Sequence, residues 1–401
     1  MHRPLFQLFA SLALAITMAS VALAQNNKGR DGAANPSAVT ETELHVKVMI
    51  EKLASVRFSD RQQASKDLLN LGPEAVRFIE AAAATSTGET QQRLRMILPQ
   101  LRKRLFDDQL DAFLEKPSVA VAERLPQWVR FEQLAGHDPD ALATFGQILS
   151  AERRLFAARL FAPHELSALL ETRSAEIAKA CDGLRDEEFP IASVAAVMLL
   201  GSELETRLRR ATSTNISSAL DDQRFSQLIT DGVHANTLCA IAEIWISRAG
   251  QPGVAAERPL LFSIQHNLKS GRSVAIRIIE SKSSRPDMIY SLLCIASLNS
   301  TEDLPLIESL FDNKTVLWPQ RGQIVKNQDP NEPPYDTNYK VQTRDVALAA
   351  AAHLRNIKPE EISMKVRSSE LSLYAFDSLG FSSDEARSQA LAEYRKLAES
   401  K

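Results

Sequence analysis

The stretch "RQQASKDLLNLGPEA", residues 61–75, sets Ala64, Leu68 and Leu71 at i, i+4 and i+7, a single apolar stripe on a helix. Gly72-Pro73 then halts that helix. Glycine enters a left-handed conformation at little cost, and proline cannot continue the ladder but suits the first turn of a new helix. Just upstream, Ser59 and Gln62 have the spacing of a capping box. The next helix carries Val76, Ile79 and Ala83 on one face. The one after it, "TQQRLRMILPQLRKRL", carries Leu94, Ile97, Leu98, Leu101 and Leu105. Short rods that are apolar on one side only cannot bury that side alone, so a chain written this way has to stack them.

The pattern returns near the C-terminus. "TRDVALAAAAHLRNIKPEEI" offers Thr343 as a cap, puts Ala347, Ala350, Ala351 and Leu354 on one face, and restarts at Pro359. Alanine-rich segments at 81–84 and 349–352 predict close approach of neighbouring helices. Between these ends, periodicity and turn residues predict helices over 138–150, 164–180, 187–200, 234–248, 257–268, 286–297 and 302–312. Trp128 and Trp245 fall on apolar faces and read as core. Only 14 glycines and an aromatic fraction of 6% fit a large sheet poorly, while a hydrophobic fraction of 44% is ample for a core. The expected fold is therefore all-α: an irregular α-solenoid of stacked helical hairpins in one continuous array, with one long non-helical insertion.

That insertion, "DNKTVLWPQRGQIVKNQDPNEPPYDTNYKVQTR", holds Pro319, Pro330, Pro333 and Pro334 and no helical stripe. "GQIV" and "YKVQ" have the makings of a small hairpin across it. Long connections in helical domains carry function or drift freely, and both readings stand for Trp318, Arg321, Tyr335 and Tyr339 as a binding surface. The chain start reads as an export signal: Arg3, an apolar run, and Ala22-Leu23-Ala24 as an A-x-A cleavage site. The competing reading is a retained anchor. The expected organisation is a signal peptide at 1–24, a flexible polar leader at 25–42, a helical array at 43–312, the insertion at 313–343 and a C-terminal repeat and cap at 344–401.

Several stretches carry a resemblance: "SVRFSDRQQASKDLLNLGPEAV", "LPQWVRFEQLAGHDPDALATF", "YKVQTRDVALAAAAHL" and "LGFSSDEARSQALAEYRKL". The first and third resemble HEAT-like repeats. Together the four resemble uncharacterised exported bacterial proteins of planctomycete type that carry such repeats. The resemblance implies an all-helical fold and supplies no catalytic residues.

A search for chemistry finds no G-x-S-x-G elbow, H-E-x-x-H helix, P-loop, G-x-G-x-x-G or EF-hand loop. His164 beside Glu165 and His137 beside Asp138 read as helix-start residues, and His353 as a helix-end residue. Cys181, Cys239 and Cys294 sit among apolar neighbours without zinc-type spacing, so no metal or cofactor is expected. Basic residues crowd three segments: Arg93, Arg95, Arg102, Lys103 and Arg104; Arg153, Arg154 and Arg159; Arg207, Arg209 and Arg210. They read as solvated faces, or, if in register, as a ridge for a polyanionic glycan. Export and a net charge of −3 argue against nucleic acid, and no segment after the signal reaches the ~20 apolar residues of a membrane span. The expectation is an exported, periplasmic or extracellular, non-enzymatic scaffold. Its partner would be another exported protein or an envelope component, bound through Trp318, Arg321, Tyr335 and Tyr339 or through Arg95, Arg102 and Arg104. The alternative is a polyanionic-glycan-binding or hydrolytic envelope protein.

Overall fold

The computed structural model describes residues 36–182, 189–203, 205–206, 208–251, 254–281, 285–319 and 340–400. Among them the chain is mainly helical, with 19 α-helices and two short strands. It divides into two compact units, Met1–Asp107 and Asp108–Lys401. The boundary falls inside the expected array of residues 43–312.

The first unit holds α1 (Pro36–Leu53), α2 (Phe58–Asn70), α3 (Val76–Thr85) and most of α4 (Gly88–Glu115). Gly72 adopts φ 80°, and Pro73 opens a single 3-10 turn, Pro73–Ala75, that feeds α3. The hairpin turn is thus the one written at Gly72-Pro73. Its core is the stripe set of the sequence: Ala64, Leu68, Val76, Ile79, Leu94, Ile97, Leu98 and Leu101, closed by Val46 and Leu53 of α1. Three details differ from the sequence reading. Helix α1 begins at Pro36, inside the stretch expected to be a flexible leader, because proline is tolerated in a first turn and the amphipathic run behind it propagates the helix. Helix α2 begins at Phe58 without a side-chain cap. In place of the Ser59–Gln62 box, the Ser55 hydroxyl donates to Asp60 at 3.0 Å and accepts from the Arg57 amide at 3.2 Å. Lastly, Ala81 and Ala84 are exposed, and of the first alanine-rich segment only Ala82 and Ala83 pack, half-buried, against the core.

The second unit opens with α5 (Val119–Ala122), α6 (Trp128–Ala135) and α7 (Pro139–Ala151), around an aromatic knot. Phe145 meets Trp128 at 5.1 Å, Phe131 at 4.8 Å and Phe113 at 5.9 Å between ring centroids. It continues through α8 (Arg153–Phe161), α9 (Pro163–Cys181), α10 (Ile191–Gly201), α11 (Arg210–Leu220), α12 (Gln223–Asp231), α13 (Ala235–Ile246), α14 (Glu257–His266), α15 (Ser270–Ser281), α16 (Arg285–Ser297), α17 (Leu304–Glu308), α18 (Thr343–Leu354) and α19 (Asp384–Glu399).

Their packing has a simple order. In one row α9 packs on α11, α11 on α14, α14 on α16 and α16 on α18. In a second row α7 packs on α10, α10 on α13 and α13 on α15. Cross-contacts such as α9 with α10, α14 with α15 and α15 with α16 join the rows. Helices inside this double row are buried on every side. Ser193 to Gly201 of α10 and Val346 to Ala352 of α18 are all buried, so the single Ala347–Ala350–Ala351–Leu354 face expected for α18 is only part of its contact surface. Small residues make the close approach possible. A Cβ on Gly271 would lie 2.5 Å from the Ser263 Cβ of α14 and 2.8 Å from the Cys294 Sγ of α16.

Segment boundaries also shift. The helix expected over 302–312 is a 3-10 turn, Thr301–Asp303, followed by α17, which ends at Glu308. The helix expected from residue 187 starts at Ile191. The sequence pattern gave no bounds for α5, α6, α8, α11, α12 and α15. Strand β1 (Val316–Pro319) pairs antiparallel with β2 (Lys340–Gln342), with Trp318 opposite Val341. "GQIV" lies outside the described residues, and the strand cut from "YKVQ" pairs with "VLWP". Trp318 therefore sits in a strand, within the segment expected to be non-helical but upstream of the hairpin expected there.

Candidate binding surface

The β1–β2 pair gives Trp318 its orientation. Leu317 and Val341 are buried, the ladder is irregular between Val316 and Trp318, and Trp318 is 42% exposed. It does not stand alone. Its ring meets Phe376 edge-on at 5.0 Å, and Phe376 in turn meets Tyr290 of α16 edge-on at 6.2 Å. The three rings form a ledge: Tyr290 buried beneath, Phe376 half-buried, Trp318 open to solvent. Of the other residues expected here, Arg321, Tyr335 and Tyr339 lie outside the described residues.

Two polar knots, the first buried and the second half-buried, hold the elements around the ledge. At the end of β2, the Gln342 amide donates to Asp345 at 2.8 Å, so Gln342 rather than Thr343 is the N-cap residue of α18. Asp345 is 0% exposed and is gripped by Arg387 of α19, itself 8% exposed, at 2.5 and 3.1 Å. Arg387 also reaches Asp384 at 2.5 Å and the Lys340 carbonyl at 3.3 Å, tying β2, α18 and α19 together. Burial works against the Arg387 charge, but the bonds to Asp345 and Asp384 outweigh it and raise its pKa. The second knot joins α17, α18 and α19. The Tyr394 hydroxyl donates to Glu308 at 2.6 Å, while Arg355 donates to Glu308 and to the Tyr394 oxygen, each at 2.8 Å. Burial disfavours the Glu308 carboxylate, yet hydrogen bonds from Tyr394 and Arg355 prevail and hold its pKa below the ordinary value. Burial, reinforced by the bond to Glu308, pushes the Tyr394 phenol upward.

The expected basic surface is different in character. Arg102 pairs with Glu80 at 2.6 Å, and Arg104 donates to the Leu69 carbonyl at 2.7 Å. Arg93 pairs with Glu89 at 2.7 Å. Arg95 is exposed and has no partner among the described residues. In the second unit Arg153 pairs with Asp111 at 2.7 Å, Arg159 with Glu203 at 2.6 Å, and Arg209 with Glu171. Arg207 lies outside the described residues. Arg93, Arg102, Arg104, Arg153, Arg159 and Arg209 are thus taken by carboxylates or a carbonyl, while Lys103, Arg154 and Arg210, like Arg95, stay exposed.

The histidines and cysteines are unremarkable chemically. Asp138, not His137, caps α7 by accepting from the Ala141 amide at 2.8 Å. His137 instead faces Glu132 at 3.3 Å. His164 and Glu165 approach to 3.7 Å, both exposed, in the first turn of α9. His353 lies in the last turn of α18, and burial lowers its pKa. The three cysteines are free. Burial pushes the Cys181 thiol up to about 11 and Cys294 up to about 12, which leaves both poor nucleophiles near neutrality. Among the described residues no three His, Cys, Asp or Glu side chains converge as a metal site.

Two cavities had no signal in the sequence. An apolar groove of about 470 Å³ is lined by Phe113, Leu114, Leu142 and Gly146, with Gln147 and Ser150 at its polar side. A smaller, polar cavity of about 220 Å³ lies between α8 and α9 and is lined by Glu152, Arg154, Leu155, Leu169, Thr172, Arg173 and Glu176. The spacing of Leu169, Thr172, Arg173 and Glu176 puts these four on one face of α9, and the packing of α8 on α9 brings Glu152, Arg154 and Leu155 to that face. Comparison with protein-family models, curated proteins and solved structures returned no match.

Proposed function

We propose that this protein is an exported, non-enzymatic scaffold of the HEAT-like α-solenoid kind, akin to the planctomycete-type exported proteins its sequence resembles. It binds another exported protein or an envelope component. The solenoid reading is supported by the double row, in which α9, α11, α14, α16 and α18 each lean on the next, as do α7, α10, α13 and α15, and cross-contacts join the two series. The binding reading rests above all on one observation: Trp318 is 42% exposed although Phe376 and Tyr290 support it from behind. A large ring held rigidly at the surface gives a partner apolar area with little loss of side-chain entropy, which is why tryptophan and tyrosine concentrate at interface hot spots. Phe376 is fixed by the same frame as the two polar knots, so the ledge is pre-organised for a rigid contact.

A photo-crosslinking residue placed at position 318 tests this directly in the native envelope. A single discrete adduct is expected, and Trp318→Ala in purified binding assays with that partner should weaken affinity by about tenfold or more. No adduct, together with unchanged binding and unchanged thermal stability of the variant, overturns the reading. Export is tested separately by intact mass: the mature chain should begin at Gln25.

A further inference from the structure

The first unit presents a surface of its own, built on the turn between α1 and α2. Arg61 Nη1 donates to the carbonyls of Ser55 and Val56, each at 2.9 Å, and the Ser55 hydroxyl donates across the turn to Asp60 at 3.0 Å. The turn is thereby held in one shape. Yet it carries Val56 at 97% exposure and leads straight into Phe58, 61% exposed at the start of α2. A turn fixed in this way cannot fold its valine back onto the core, so the apolar area stays in water until something covers it.

Charge gathers at the same place. Arg61 and Arg93 of α4 both stand over the Phe58 ring, 5.7 and 5.9 Å from its centroid. The Glu89 carboxylate pairs with both guanidiniums, at 3.0 and 2.7 Å, so ring and cations are one pre-arranged cluster. Met96, also exposed, lies one turn on from Arg93 on the same face of α4. Arg57, exposed and adjacent to Phe58, adds a third guanidinium. Three cations thus face two carboxylates, Glu89 and Asp60, and one positive charge is left over. Residues 36–107 share that sign, with 11 basic and 9 acidic side chains in a chain that has 47 and 50.

This mixture decides the kind of partner. A polyanion needs a field of free cations, and here a single net charge sits among three exposed apolar side chains, Val56, Phe58 and Met96. Phenylalanine, methionine and arginine are residue types enriched where proteins meet. An acidic peptide segment complements both parts: an apolar side chain covers Phe58 and Val56, and a carboxylate meets the guanidiniums beside them.

We propose that Val56 and Phe58, with Arg57, Arg61, Arg93 and Met96, dock an acidic segment of a partner protein. An apolar side chain of that segment rests on Phe58 and Val56, and a flanking carboxylate pairs with the arginines. The contact is independent of Trp318.

Panning a random peptide display library against the full chain tests it. Enriched clones are expected to combine aspartate or glutamate with a large apolar residue. A synthetic peptide of the enriched sequence should bind Phe58→Ala about tenfold more weakly. Changing its carboxylates to amides should cost about as much on the natural chain. Val56 is so exposed that Val56→Ser leaves the core alone; it should weaken the peptide severalfold with the thermal midpoint unchanged, whereas Trp318→Ala should leave binding intact. No enrichment, or enrichment of basic or wholly polar clones, overturns the proposal. So does a peptide that binds Phe58→Ala and Val56→Ser as tightly as the natural chain, or one that is lost with Trp318→Ala. Heparin that outcompetes the peptide and keeps its affinity in Phe58→Ala gives the arginines to a polyanion instead. Dimerisation that disappears in Phe58→Ala makes a second copy the occupant, and either result overturns the proposal as well.

Discussion

The first unit and the C-terminal end of the second close their helices by different physics. In the first, the interior is apolar throughout, from Val46 and Leu53 through Leu68 to Leu101, and the ion pairs lie outside it. At the C-terminal end the clamps are polar: Asp345 buried under Arg387, and the buried Tyr394 held between the half-buried Glu308 and Arg355. An apolar stripe gives free energy in proportion to area and is tolerant of register. A buried ion pair gives little net stability, but it makes one arrangement far better than its neighbours because an unpaired charge inside is so costly. The molecule uses the first device where consecutive helices need only to stack. It uses the second where distant segments, β2, α17, α18 and α19, must meet in one geometry and hold Trp318 at the surface.

The contrast can be broken most severely at Arg387. Arg387→Met leaves the buried Asp345 without its counter-charge and should cost about 3–5 kcal/mol in urea unfolding. Adding Asp345→Leu should restore much of that loss, since the charge to be neutralised is then gone; failure of the double variant to recover would show that the pair stabilises by more than mutual neutralisation. In the first unit, Leu68→Ala should cost about 2–5 kcal/mol through the cavity it leaves, with no rescue available from a second polar change. Acid sharpens the comparison further. The Glu308 pKa is depressed in the fold, so its contribution is fully present above the unfolded value of about 4.3 and is lost as pH falls through the lower folded value. Urea midpoints between pH 5 and 3 should therefore fall more steeply for the natural chain than for Glu308→Gln. The smallest effect belongs to the exposed Arg102–Glu80 pair, where Arg102→Ala should change stability by under about 1 kcal/mol, and by less still at high salt.

Much of the first unit was legible because its signals are local. Gly72 at φ 80° and Pro73 at the next turn act within two residues, and the stripe from Ala64 to Leu101 is buried as the period requires. Caps were read less well. Ser55 outcompeted the capping box expected at Ser59, and Gln342 displaced Thr343, because neighbouring polar residues offer the same amides alternative partners. For the binding surface, Trp318 was legible as an odd aromatic in a proline-rich stretch. Its support was not: Phe376 lies 58 residues further on, and no periodicity joins them. Arg102 and Arg104 looked available for a ligand, yet Glu80 and the Leu69 carbonyl take them, and that exchange becomes visible only once α3 and α2 lie beside α4.

By itself, then, the sequence determined that the chain would be helical, where its first hairpin would turn and which stripe each rod would bury, since those choices depend on neighbours within a turn or two. Only the tertiary structure decided which helices run in which row, that α10 and α18 are almost wholly enclosed, that "VLWP" pairs with "KVQ", and that Phe376 comes to lie against Trp318. Those outcomes depend on contacts between residues far apart in the chain, and the free energy of such contacts comes from burial and charge pairing that no local pattern encodes.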